Sequence, residues 1–143
     1  MCEDEKLERL KNARNEDKGF ARYMNIETIA LDEGMAQAKI EMKSEYNNAQ
    51  MIVHGGVLFA LADDCGGTAA RTYGHNVVTV NANIEYLNPG IGVETLYAKA
   101  TVLSRGRKIL RFKVEVEDQV KNLLCMGIFT YATKSKVPEM HND

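Results

Sequence analysis

Long apolar runs are missing from this sequence. No stretch approaches the roughly 18 residues that a membrane span requires, and the first twenty residues, MCEDEKLERLKNARNEDKGF, carry charges throughout where a secretory leader would need an apolar core. The expectation is a cytoplasmic chain with no membrane partner. Cysteine is scarce as well: Cys2, Cys65 and Cys125 are odd in number and form no C-x-x-C pair, which argues against a disulfide scaffold and a zinc site and for reduced thiols. Charge of one sign is not in excess. With 18 basic against 20 acidic residues the formal charge is -2, too little positive field for a phosphate backbone, so no nucleic acid is expected as partner. The signatures G-x-S-x-G and H-E-x-x-H are absent and the three histidines do not cluster, so neither a serine hydrolase nor a metal mechanism is indicated, and no metal site is assigned. Repeats, low-complexity tracts and linkers are also lacking. What remains is a single 143-residue domain with 45% hydrophobic and 27% charged residues, an ordinary globular balance.

The periodicities that are present suggest an order of elements. From Cys2 to about Asn15, Leu7 and Leu10 recur at helical spacing among charges, a short amphipathic helix within an N-terminal extension over residues 1–24. From Met35, Ala36, Ala38, Ile40 and Met42 alternate with polar residues, the pattern of a half-buried strand. Residues 47–54 read as a loop. After Gly55-Gly56, Val57, Leu58, Phe59, Leu61 and Ala62 show no polar face before Asp63, which predicts a buried central helix ending near Gly74. Val78, Val80, Ala82, Ile84 and Tyr86 then alternate with Thr79, Asn81, Asn83 and Glu85, and Asn88-Pro89-Gly90 supplies a turn. The rows Leu96 to Val102 and Leu110 to Val116 read as a hairpin around Arg105, Gly106, Arg107 and Lys108. A last strand over about 123–133 is apolar on both faces, so it belongs inside the sheet or at a subunit contact. Residues 135–143 read as a loose tail. One helix apolar all round is buried only if an antiparallel sheet covers it, so the expected class is α+β, with the final four strands in a meander.

Against this background a few residues stand out. Asp63 interrupts an apolar helix with no cation on its own stripe, and an acid in that setting needs either a structural partner or a function. Asp64, about 100° further round, shares a stripe with Thr68 and Arg71, a sufficient structural explanation. Gly66-Gly67 should weaken the helix by about 1 kcal/mol per glycine, which points to the close approach of a second backbone, from a partner subunit or a thin ligand. His54-Gly55-Gly56 leads into the helix, where free N–H groups and the dipole favour an oxygen gaining negative charge; His54 itself reads first as a loop-holding hydrogen-bonding residue. Cys65 beside two acids makes a poor nucleophile. The Arg105–Lys108 turn is either a solvated turn or a phosphate contact.

The pattern N-x5-H-G-G-x6-D, formed by Asn48, His54, Gly55, Gly56 and Asp63 and continued by VVTVNANIEYLNPG, resembles the hotdog-fold acyl-CoA thioesterases of the PaaI-like group from about Asn25 to Thr133. The resemblance implies an antiparallel sheet of five to six strands around one long central helix, with a short N-terminal helix in front. It implies hydrolysis of an acyl-coenzyme A thioester, with Asp63 as general base or nucleophile and Gly55 as backbone oxyanion donor. Asn48 and Thr79 match residues that position water or the carboxylate, Thr79 from a neighbouring subunit. His54, Gly56, Asn81, Tyr86 and the turn Arg105, Gly106, Arg107, Lys108 match the substrate-binding region, the turn meeting the nucleotide end of coenzyme A. No cofactor is implied beyond the coenzyme A of the substrate, and the active unit is a homodimer or homotetramer. Two other readings stay open: a hydratase or dehydratase of acyl thioesters, drafting His54 and Asp63, and a non-catalytic acyl-CoA binding module.

Overall fold

Residues 1–141 are described by a computed structural model. Helix α1 (Glu3–Glu16) opens with Glu3, Asp4 and Glu5, acids that suit the positive end of the helix dipole, and it buries Leu7 and Leu10. After the single turn α2 (Phe20–Tyr23) come strands β1 (Ile26–Asp32) and β2 (Met35–Glu41), the long helix α3 (Gly55–Arg71), and then β3 (His75–Tyr86), β4 (Thr95–Arg105), β5 (Ile109–Glu117) and β6 (Leu123–Lys136). The six strands form one antiparallel sheet in the order β1-β2-β4-β5-β6-β3. Helix α3 packs against this sheet through Leu58, Leu61, Ala62, Cys65, Ala69 and Ala70, with the fully buried rows of β2, β4 and β5 beneath it. This is the expected hotdog arrangement of a sheet around one apolar helix. Among the described residues no helix is long and apolar enough to cross a membrane.

Three expectations are corrected. First, only β4, β5 and β6 form a meander. Strand β3 leaves the sequence order and pairs with β6 at the sheet edge, so the Asn88-Pro89-Gly90 segment begins a crossover to β4 rather than a hairpin. β6, flanked by β5 and β3, takes the interior position that its two apolar faces require. Second, the row beginning at Met35 is not the first strand but the second; the first is β1. A register shift between Thr28 and Ala30 breaks its period of two, and its polar Thr28 is buried because the Asn15 side chain exchanges two hydrogen bonds with the Thr28 backbone, at 2.8 and 2.9 Å. Third, the segment after residue 134 is not a loose tail: β6 runs on to Lys136, and a short 3-10 turn (Pro138–Met140) follows. Val137 and Met140 are buried with Leu7 and Leu10 of α1, a satellite core that ties the two ends of the chain together. Residues 142 and 143 of the expected tail lie outside the described residues.

The two edges of the sheet differ. The β1 edge is covered by α1 and by Asn15 acting as a surrogate backbone, whereas the β3 edge leaves Val78, Val80 and Tyr86 largely exposed. A bulge in β3 also decides which side chains face inward. Thr79 lies opposite Tyr131 and Asn81 opposite Thr130, so Val80 is the extra residue. Downstream of it Ala82 and Ile84 face the core, as the alternation predicts. Upstream the faces are exchanged: Thr79 turns inward and Val78 outward.

Candidate active site

The start of α3 is built by the loop before it. Asn48 Oδ1 accepts the backbone N–H groups of Gln50 and Ile52, and this loop brings His54 to the N-cap. There His54 Nδ1 accepts the Gly56 N–H at 2.8 Å, which satisfies one of the unpaired donors of the first turn. The bond fixes the ring and spends the Gly56 donor. The Gly55 N–H is left without a hydrogen-bond partner among the described residues. Tyr86 closes over this end, its hydroxyl donating to the Gly55 carbonyl at 3.1 Å. Beside it lies a cleft of about 270 Å³ lined by Val53, Gly55, Leu58, Tyr86 and Leu87. Apolar walls around one free donor at a helix N-terminus suit a carbonyl group on an apolar chain.

Two turns further along α3, Asp63 is half-buried, and its Oδ1 accepts two hydroxyls. Thr79 Oγ1 donates at 2.9 Å from β3, and Tyr131 Oη lies 3.2 Å away on β6 and 3.0 Å from the Asp63 carbonyl. Oδ2 carries no hydrogen bond from the described residues, so the carboxylate is held by one oxygen and free at the other. The Thr79 that reaches this Asp63 belongs to the same chain. The bulge at Val80 is the cause.

The glycine pair is explained within the chain too. A Cβ on Gly66 would collide with the Tyr131 hydroxyl, and one on Gly67 would press on the Arg71 guanidinium at 3.0 Å, so the expected second backbone is instead two side chains of the same protomer. Asp64 is also partnered differently from expectation. Its cation is Arg14 of α1, which places Nη2 2.7 Å from Asp64 Oδ1 and Nε 3.0 Å from Thr68 Oγ1. Burial pushes the Asp64 carboxyl up, with Arg14 and then Arg71 pulling it back. Arg71, mostly enclosed, is pushed down to about 10 by burial and then by the charge of Arg14. Cys65 is inert, its thiol pushed up by burial and then by Asp64.

Other assigned residues are not brought together within one protomer. Asn81 lies on the far face of β3 from Thr79, where it accepts from Asn83. The turn Arg105–Lys108 joins β4 to β5 as a hairpin closed by Gly106 and Ile109. Arg105 stacks on Tyr73, 3.9 Å from its ring centre, and pairs with Glu33, which places the turn at the C-terminal end of α3 beside a separate hollow of about 360 Å³. Seventeen helical residues, about 25 Å, separate it from Gly55 and Tyr86. His54 and Asp63 likewise do not face each other across a cavity of one chain. Tyr131 was not singled out from the sequence: it sits in an apolar strand with nothing to mark it, and its only trace is Gly66, the residue that yields to it.

Residues 50–125, more than half of the chain, match the family model described as the thioesterase superfamily. The chain is 29% identical over 115 residues to the acyl-coenzyme A thioesterase PaaI of Escherichia coli K12, covering 80% of this chain and 82% of that one. The solved structure of E. coli PaaI superposes with a TM-score of 0.86 at 26% identity, over 92% of this chain and 96% of that one. A hypothetical thioesterase protein of Streptococcus pneumoniae TIGR4 solved with coenzyme A superposes with a TM-score of 0.74 at 25% identity, over 78% and 88% of the two chains.

Proposed function

We propose that this chain, which belongs to the thioesterase superfamily, hydrolyses an acyl-coenzyme A thioester with Asp63 as its reacting carboxylate. The observation that carries the reading is the asymmetric hold on Asp63: two hydroxyls fix Oδ1, and Oδ2 is left to meet water or the thioester. As general base, Oδ2 takes a proton from water while the water oxygen bonds to the carbonyl carbon. The carbonyl oxygen, now negative, is met by the free Gly55 N–H at the positive end of α3. Collapse of the intermediate restores the carbonyl, breaks the carbon–sulfur bond and expels the thiolate, which takes back the proton held on Asp63 and leaves as the thiol. As nucleophile the same oxygen would attack the carbonyl directly and expel the thiolate, leaving an anhydride on Asp63 that water then hydrolyses to the free acid; either role needs the oxygen ionised and unobstructed.

One chain does not complete this arrangement. Gly55 and Asp63 are eight residues apart on α3, about 12 Å along its axis, and no carbonyl is within hydrogen-bonding reach of both. A dimer supplies the missing half if Gly55 of one protomer faces Asp63 of its partner. The β3 edge supports this reading, since its exposed Val78, Val80 and Tyr86 stand on the strand that delivers Thr79 to Asp63. The same pairing would let Asn81 and the Arg105–Lys108 turn of one protomer approach substrate held mainly by the other, reaching the nucleotide end of coenzyme A.

The test is thiol release from a panel of acyl-CoAs. Asp63→Asn keeps size and hydrogen bonding but removes the charge, so turnover should fall by at least about 10²-fold while binding survives. Tight binding of acyl-CoA by the unaltered protein with no thiol released would point instead to a binding module.

A further inference from the structure

Tyr131 is among the largest fully buried side chains of the molecule, yet it carries a hydroxyl, and a buried hydroxyl needs a partner. Its ring is held edge-on by Phe112, with centroids 6.1 Å apart, so packing sets the position of the oxygen. Both acceptors in its reach belong to residue 63: the carbonyl oxygen at 3.0 Å and Oδ1 at 3.2 Å. Helix α3 gives way to it by placing Gly66 where any Cβ would collide with the oxygen. A phenylalanine would remove the colliding oxygen and leave only ring carbons, at 3.1 and 3.2 Å from that Cβ.

We infer that Tyr131 is a positioning residue for the thioesterase reaction, its hydroxyl donating to Asp63 Oδ1 so that, together with Thr79, it turns Oδ2 toward the substrate. The inference rests on Asp63 being the reacting carboxylate. Of the two acceptors, the carbonyl is already engaged as a mid-helix acceptor, and an ionised carboxylate is the stronger partner. When Oδ2 gains a proton, the carbonyl offers the Tyr131 hydrogen a second place to turn without moving the ring. The groups around Asp63 are Thr79 on β3, the neighbouring Asp64 with its Arg14 from α1, Arg71 two turns along α3, and the neutral Cys65 thiol. None of these is altered by changing Tyr131 to phenylalanine. The Tyr131 hydroxyl stays protonated, because burial and then the Asp63 charge push its ionisation far up.

In Tyr131→Phe, kcat for acyl-CoA hydrolysis should fall about 10-fold. The acid limb of kcat/KM should move up by about one pH unit, since losing a donor to the charged form favours the protonated carboxyl. Gly66→Ala, which pushes the hydroxyl aside, should move the acid limb the same way and lower the thermal midpoint. Its effect on the midpoint should shrink in the Tyr131→Phe background, where the colliding atom is gone. An acid limb that stays in place in Tyr131→Phe, whatever happens to kcat, overturns the inference, as does an undiminished effect of Gly66→Ala on the midpoint. The underlying reading fails separately: Asp63→Asn retaining turnover would remove the role of Asp63 itself.

Discussion

At the scale of single residues, several polar groups that look catalytic in the sequence have local duties as well. Asn48 Oδ1 organises its own loop, and His54 Nδ1 caps α3. The cap makes a prediction about stability that is independent of turnover. His54→Ala removes the acceptor for the Gly56 N–H and should destabilise the fold by about 1 kcal/mol, whereas His54→Asn keeps a capping oxygen and should cost only a few tenths. Urea unfolding of the two variants checks this; equal losses would mean that His54 acts through something other than its cap. Asp63 and Asp64 show the same division. Adjacent in sequence, one is held by hydroxyls with an oxygen to spare and the other is paired to a cation.

At the scale of elements, α1 does more than cover the β1 edge. Arg14 reaches from α1 to Asp64 and Thr68 on α3, on the residue next to Asp63, so the N-terminal helix helps to fix the position of the central one. Arg14→Met preserves much of the packing but strands a mostly buried carboxylate, and should cost on the order of 2 kcal/mol at neutral pH. The sign of its pH dependence follows from Asp64, whose carboxyl is already raised by burial and would rise further without Arg14. A raised acid stabilises the fold while protonated and loses that contribution as pH rises through its folded value. The deficit of Arg14→Met should therefore be small at low pH, where Asp64 is neutral, and grow to its full size above the raised carboxyl range. Denaturation of both proteins across that range tests it, and a deficit independent of pH would exclude the ion pair as the cause.

At the scale of the whole molecule, the free Gly55 N–H and the free Asp63 oxygen are too far apart along one helix to serve one carbonyl. Complementation between two variants, each expected to be inactive alone, tests the dimer proposed for the site. Gly55→Pro deletes the N–H at the first helical position, where proline is tolerated, and His54 already has the extended backbone (φ -63°, ψ 134°) that a following proline prefers. Unfolding and refolding an equal mixture of Gly55→Pro and Asp63→Asn chains should restore about a quarter of the original activity, because half of the dimers are mixed and each of those has one intact site. If the site lay within one chain, the mixture would stay inactive.

The elements with unbroken periodicity were legible in the sequence: the apolar helix that had to be buried, the hairpin of β4 and β5, the two-sided interior strand, and with them the α+β class and the helix-start motif. Each follows from side chains repeating at the period of their own element. The polar contacts of the site were not legible, because they join residues far apart in the chain. Thr79 meets Asp63 only through a one-residue bulge that exchanges the faces of β3. The partner of Asp64 comes from a helix fifty residues away. The pairing of β3 with β6 depends on which edge the chain chooses when it crosses the sheet, and a period of two carries no information on that choice. Gly66 lies between the two kinds of information. Its cost to the helix was visible in the sequence, and only the tertiary structure shows that what it admits is the hydroxyl of Tyr131.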